Sequence, residues 1–398
     1  MFFCLKPSQT MVHFLLALLG QSLLIPTTAT AAFSSAAAGA AAGNNPDFVV
    51  VRSYSLHGIG GRRIATMQEV RPAPRDALWT GEDEVESLYP TTRRAFVIPG
   101  DGAGPAGGVV ANVRQTSFGC GKLGATVWPS SIALAALLSE RTDRDGVGGG
   151  PASVVGGRRV LELGSGCGLP SAAASILGAS RVLATDHWEE RGGGGGGGGG
   201  GDDRGRLMPK NPHGANLAHN VASSNRRRRP GGGGGGEDIK DDPPVASVSR
   251  LDWHDASGAR DVAEGYRPDL VIGSDLVYYP ADVSPLLRTL GILLGGATDR
   301  EGGGSGIGGG GERRREALLV SPLPPSAERE SLGEFRERLE AVADLDGDDG
   351  WLAGCDVAMD ELVMVERRGG DDDDDDDDDN GEEERHNFLR IRIVRRPY

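Results

Sequence analysis

The sequence predicts an α/β fold, a seven-stranded, mostly parallel sheet with an antiparallel edge strand and helices on both faces. Three observations predict it. From Trp128 onward, short apolar runs alternate with helical patterns. A glycine-rich turn at Gly164–Gly168 joins one such run to a helix. The last two runs, Glu361–Val365 and Phe388–Val394, have no helix between them and read as a hairpin. Strands separated by helices pair in parallel beneath two helical layers, whereas a hairpin reverses the chain.

The elements follow in order. Ser130 or Ser131 is placed to cap a helix whose apolar residues Ile132, Leu134, Ala135, Leu137 and Leu138 form a largely buried face. Val160–Leu163 is a buried strand. Pro170–Leu177 is a helix with proline in its first turn, where the missing N–H is harmless, and Gly178 ends it. Arg181–Asp186 is the next strand, Ala215–Ser223 a helix, and Ser247–Trp253 and Asp269–Asp275 are strands. Ser284–Leu294 is a helix, Ala317–Val320 a strand and Leu332–Val342 a helix. In residues 46–118, Phe48–Val51 and Gly107–Val113 have strand character between Gly- and Pro-rich stretches.

Composition bounds the remainder. The chain has 398 residues, of which 64 are glycine, many in runs such as Gly192–Gly201 and Gly231–Gly236. Such runs bury nothing and lose much entropy on ordering, so they read as flexible insertions. One domain over 118–398 is expected, with insertions near 187–210, 226–244, 299–315 and 367–386, preceded by an extension over 46–117. The net charge of −15 owes twelve acids to Asp371–Asp379 and Glu382–Glu384, a self-repelling, solvated block. Arg226–Arg229 lacks interleaved aromatics and reads as a solvated loop, so no stable nucleic-acid partner is expected. Four cysteines without a CxxC pair argue against a zinc site and exclude a dense disulfide framework; no metal is expected.

At the N-terminus, Lys6 precedes an apolar stretch, Met11–Ile25, followed by Ala29-Thr30-Ala31, which suits a small-residue cleavage site; the pattern fits a signal peptide within a targeting presequence over residues 1–45 better than a permanent membrane span. The Phe33-Ser34-Ser35 and Ala-rich tract after it resembles bipartite presequences of algae with secondary plastids. Secretion is the alternative destination, and a misassigned start is the plain one.

The chemistry is concentrated in Glu162-Leu163-Gly164-Ser165-Gly166-Cys167-Gly168. Glycines let backbone approach a ligand, and a helix N-terminus presents free N–H groups. Such a turn suits a dinucleotide or S-adenosylmethionine. Leu169 stands where the dinucleotide fingerprint needs glycine, and Glu162 repels a pyrophosphate but suits a ligand with a positive amino group. Both residues disfavour an NAD-dependent oxidoreductase. Asp186, at the end of the next strand, is placed to accept hydrogen bonds from ribose hydroxyls; a turn or helix-cap role is its plain alternative.

These residues resemble the seven-β-strand protein-lysine methyltransferases of the methyltransferase-like group, whose sheet is Rossmann-like. The resemblance runs through Gly124–Pro129 with Trp128, Val160–Pro170, Ala184-Thr185-Asp186, Asn220-Val221 with Asn225, Leu251-Asp252-Trp253, and Gly273-Ser274-Asp275-Leu276-Val277-Tyr278. Arg329 and Phe335 extend it. It implies S-adenosyl-L-methionine as cofactor, held by Trp128, Glu162, Gly164, Gly166, Gly168, Asp186, Trp253 and Ser274. It also implies transfer to a protein lysine with Asp275 and Tyr278 at the reacting centre. The plain alternatives are core packing for Trp128 and Trp253 and a turn aromatic for Tyr278. Cys167 reads as packing beside the cofactor. The rival functions are a methyltransferase acting on RNA or a small molecule, and a non-catalytic cofactor-binding scaffold. An Asn-Pro-Pro-Tyr-like step, frequent in RNA methyltransferases, is absent.

Overall fold

The computed structural model describes residues 48–72, 91–99, 108–116, 123–142, 152–188, 212–227, 245–295, 314–323, 330–344, 352, 354–368 and 383–396. The presequence, Arg329, the glycine runs and Asp371–Asp379 lie outside them. Among the described residues no helix is long and apolar enough to cross a membrane.

The strands are β1 (Phe48–His57), β2 (Arg63–Pro72), β3 (Thr91–Ile98), β4 (Val109–Thr116), β5 (Arg141–Thr142), β6 (Ala152–Ser153), β7 (Arg159–Leu163), β8 (Arg181–Asp186), β9 (Ala246–Arg250), β10 (Leu270–Ser274), β11 (Glu316–Pro322), β12 (Cys355–Arg368) and β13 (Glu383–Arg395). The helices are α1 (Pro129–Leu138), α2 (Leu169–Ile176), α3 (Pro212–Arg227), α4 (Ala256–Tyr266), α5 (Pro280–Gly295) and α6 (Glu330–Asp344). Among the described residues, eleven strands form one sheet in the order β4-β3-β2-β1-β12-β13-β11-β10-β7-β8-β9, and β5 and β6 pair separately. Strands β9, β8, β7, β10 and β11 run parallel to one another, and β13 runs antiparallel between β11 and β12.

The sheet therefore differs from the expected one in two ways. It is mixed and eleven-stranded, and its reversed last strand is interior. The strand count comes from the stretch before residue 117, whose four strands pair in succession and add to β12 through β1, while β13 is interior because β12 pairs along its other side. The β12–β13 ladder also runs out to Arg367↔Glu383, which narrows the insertion expected at 367–386.

Alternation along the parallel strands builds two cores. Val160, Val182, Leu270, Ile272 and Leu318 face α1, α2 and α3, while Leu161, Leu163, Val271, Ala317 and Leu319 face α4, α5 and α6. Strands covered on both faces must be apolar on both, hence their continuous hydrophobic runs. The added strands contribute Tyr54, Leu56, Met67, Phe96 and Val113 to the first core, and β4 packs against α2 and α3. The carboxyl ends of β7, β8 and β10 meet at one edge of the sheet.

Local expectations were corrected in three places. Helix α1 begins at Pro129 with Trp128 as N-cap, and neither serine caps it; Ser131 Oγ instead donates to the Trp128 carbonyl at 2.8 Å. Strand β9 stops at Arg250, so Trp253 stands in the turn beyond it. Helix α4 escaped the periodicity because it buries only Ala259 and Ala263; its N-cap Asp255 accepts from Ser257 N at 3.0 Å.

Candidate active site

The site is built on the turn from β7 into α2. Gly164 and Gly168 have φ of 57° and 74°, in the left-handed region that strains residues bearing a Cβ. A Cβ on Gly164 would lie 2.7 Å from Leu276 Cδ2, and one on Gly168 2.6 Å from Leu217 Cδ1, so a larger residue there would also have to displace a leucine methyl. Backbone bonds fix the turn. Gly168 N donates to Ser165 O at 2.7 Å, and Ser165 donates to the Thr185 carbonyl of β8 through both its N–H and its hydroxyl, each at 2.9 Å.

Asp186 meets this turn directly. One carboxylate oxygen accepts Gly166 N at 2.7 Å and the other accepts His187 N at 2.7 Å. A carboxylate has about four lone-pair positions, so these contacts leave acceptor capacity.

Glu162 points from β7 toward α2, where Oε2 accepts Ser171 N at 3.0 Å and a short bond from the Ser171 hydroxyl. The carboxyl is wholly buried, and among the described residues its Oε1 has no hydrogen-bond partner. Burial pushes its pKa up to about 8; the Ser171 bonds oppose that rise and the Asp186 charge adds to it. An acid in this setting is stabilised by a cation brought to its open oxygen.

Three further segments border the turn. Trp253 stands over Gly164, its ring 3.4 Å from where a Cβ would be. The Gly124 carbonyl, in the short 3₁₀ turn ahead of Trp128, would lie 3.2 Å from a Cβ on Gly166 and accepts from Cys167 Sγ at 3.6 Å. Burial pushes the Cys167 thiol up to about 12, with the Asp186 charge adding to the rise, so it is a packed thiol and not a nucleophile. Finally, Ser274 ends β10 half-buried, and Asp275 follows, buried, with φ of 50° and its N–H bonded to Val320 O at 2.9 Å. A non-glycine residue held in that region marks strain maintained by its surroundings. Tyr278 is half-buried, and its carbonyl accepts from Ser331 Oγ of α6 at 3.5 Å.

The structure thus brings Asp186, Trp253 and the segment before Trp128 against the glycine turn, with Asp275 and Tyr278 following the adjacent strand. Phe335 is a core side chain, 1 % exposed. Sequence reasoning missed Ser171, the partner of Glu162, and gave no role to Asn220, whose amide is bonded to Cys167 O. A buried acid nine residues before a serine in the first turn of the next helix was the available signal for the former.

Fold and site together define the class: an α/β protein with a glycine turn and following acid suited to a nucleoside cofactor. A family model described as lysine methyltransferase matches residues 113–191. Over that segment the resemblance read from the motifs stands. The electron transfer flavoprotein beta subunit lysine methyltransferase of Homo sapiens is 44% identical over 62 residues, 16% of this chain. The match spans about a fifth of that relative's length, 20%. Among solved structures, a putative S-adenosylmethionine-dependent methyltransferase from Streptococcus mutans aligns at 12% identity over 87% of this chain and 75% of its own, with a TM-score of 0.36. A putative RNA methyltransferase from Pyrococcus horikoshii aligns at 15% identity over 61% and 76%, with a TM-score of 0.30. Superpositions this loose carry no argument about activity.

Proposed function

We propose that this chain is an S-adenosylmethionine-dependent methyltransferase whose acceptor is a protein lysine. The observation that carries the reading is the orphaned, fully buried Glu162 Oε1 beneath a glycine turn that Asp186 closes. The residues present fit the cofactor. Glu162 would take the amino group of its methionine part, Asp186 the ribose hydroxyls, and Trp128, Trp253 and Ser274 would line the remainder. The match of residues 113–191 to lysine methyltransferases supports the acceptor class.

When bound, the cofactor supplies an electrophilic methyl group on a sulfonium. A lysine amine has a reference pKa of about 10.4, so it must pass a proton to water before it can attack. Asp275 would accept a hydrogen bond from the amine and orient its lone pair. The Tyr278 ring would stabilise the cationic product by a cation–π contact, worth roughly 0.5–2 kcal/mol according to its exposure. Most of the rate would come from holding the amine in line, and no covalent enzyme intermediate is needed.

Calorimetry of the chain with S-adenosylhomocysteine and with NAD tests the cofactor assignment. Binding of the former alone is expected; tight NAD binding without it would refute the reading.

A further inference from the structure

We propose that strand β4, acting through Asn220 and Gln115, is the positioning element that holds the cofactor site in shape; the inference rests on the cofactor reading above. β4 is the edge strand of the sheet farthest in strand order from β9, and it closes the extension expected over residues 46–117. Three consecutive residues of it fasten the two segments that frame the glycine turn.

Asn220 of α3 is 1 % exposed and spends its amide on backbone. Its Oδ1 accepts Arg114 N at 2.8 Å, and its Nδ2 donates to Arg114 O at 3.0 Å, so the side chain pairs with the outer edge of β4 as a neighbouring strand would. The second Nδ2 proton goes to Cys167 O at 2.8 Å, inside the glycine turn. One amide therefore ties the turn to the edge strand.

Gln115 and Thr116 do the same for the segment ahead of α1. Gln115 Oε1 accepts Val127 N at 3.0 Å, while its Nε2 donates to Thr92 Oγ1 at 3.2 Å. Thr116 O accepts from Thr126 Oγ1 at 3.0 Å. Arg94 of β3, clamped by Glu69 through bonds of 2.8 and 2.7 Å, reaches the Val127 carbonyl at 3.5 Å. Val127 is thus held at its N–H and at its carbonyl by side chains of the added strands. The same segment closes on the turn where Cys167 Sγ meets Gly124 O.

A turn fixed before binding spares the ligand the work of ordering it, so affinity depends on these supports even though none of them touches the ligand. A support of this kind differs from ordinary core packing in what its loss does: the turn loosens locally, and affinity falls out of proportion to stability.

The test uses the full chain, with calorimetry against S-adenosylhomocysteine and amide hydrogen exchange without ligand. Asn220→Ala and Gln115→Leu should each weaken binding by about tenfold or more, and should speed exchange across the turn at Ser165 and Gly168. Gln115→Glu keeps an acceptor for Val127 N and should bind like the wild type. Leu339→Ala, a core change in α6, should lower the melting temperature and leave affinity alone. If Asn220→Ala fails to fold, the half-buried Gln115 pair carries the test. Wild-type affinity and unchanged exchange in Gln115→Leu would overturn the positioning role while leaving the cofactor reading intact. Absence of binding by the wild type would overturn both.

Discussion

Replacing Glu162 by glutamine gives a prediction that follows from burial alone. In the unfolded chain this carboxyl releases its proton near 4.5, and in the folded chain it keeps it to about 8. Between those values the folded state holds one more proton, so stability must fall as pH rises through that window and level off above it. A rise from 4.5 to about 8 corresponds to on the order of 5 kcal/mol. Glutamine does not titrate. Its amide oxygen can still accept Ser171 N–H, but its NH₂ faces the position where Oε1 has no partner, which costs about 1–3 kcal/mol. The two thermal stability profiles should therefore cross. Glu162→Gln melts lower than the wild type near pH 5 and higher near pH 8, where the gap approaches roughly 10 °C for a domain of this size. Circular dichroism melts of the ligand-free chain across that range measure it. Profiles that run parallel would refute the buried, cation-seeking carboxylate. The same burial predicts that S-adenosylhomocysteine binding near pH 7 releases a proton, visible as a calorimetric enthalpy that changes with the buffer's ionisation enthalpy.

Other outcomes follow from the same geometry. Asp186→Ala should weaken S-adenosylhomocysteine binding by about 1.5–3 kcal/mol, as expected for hydrogen bonds to a charged group, measured by calorimetry. Asp275→Ala should cut methyl transfer far more than cofactor affinity; Tyr278→Phe should be mild if the ring face is what acts and severe if the hydroxyl orients the amine. Glu316, buried between Arg158 and Arg392, is a separate case. Burial pushes its carboxyl up, but the two guanidinium groups outweigh that and hold it below the usual range. Its contribution is present above the unfolded value and lost as pH falls through the folded one, so Glu316→Gln should lower the melting temperature near pH 7 and make acid unfolding less steep.

Much of this was legible in the sequence. Val182–Ala184 within Arg181–Asp186, and Leu270–Ile272 within the strand that ends at Ser274, are short apolar runs, and their strands formed as read. The glycine turn was legible because three glycines between a strand and a proline-started helix have few other uses. The strands before residue 117 were only half visible. Phe48–Val51 is apolar throughout, but Arg63–Pro72 and Thr91–Ile98 mix buried and charged side chains, because Glu69 and Arg94 are neutralised by each other and not by water. Pairing across 25 residues of sequence cannot be read from local pattern. Asn220 illustrates the same limit. Its place in a motif was visible, but its partners, Arg114 and Cys167, stand 106 and 53 residues away. The signal-peptide reading and the greater part of each insertion reading fall outside the described residues.

The central claim, methyl transfer to a protein lysine, is tested most directly by incubating the full chain with methyl-labelled S-adenosylmethionine and an extract of cells that express it, then separating protein, RNA and small-molecule fractions. The account predicts label on a discrete protein, located by mass spectrometry as N-methyl-lysine and lost with Asp275→Ala. Label confined to RNA or to small molecules, or no transfer at all by a chain that binds S-adenosylhomocysteine, would contradict it.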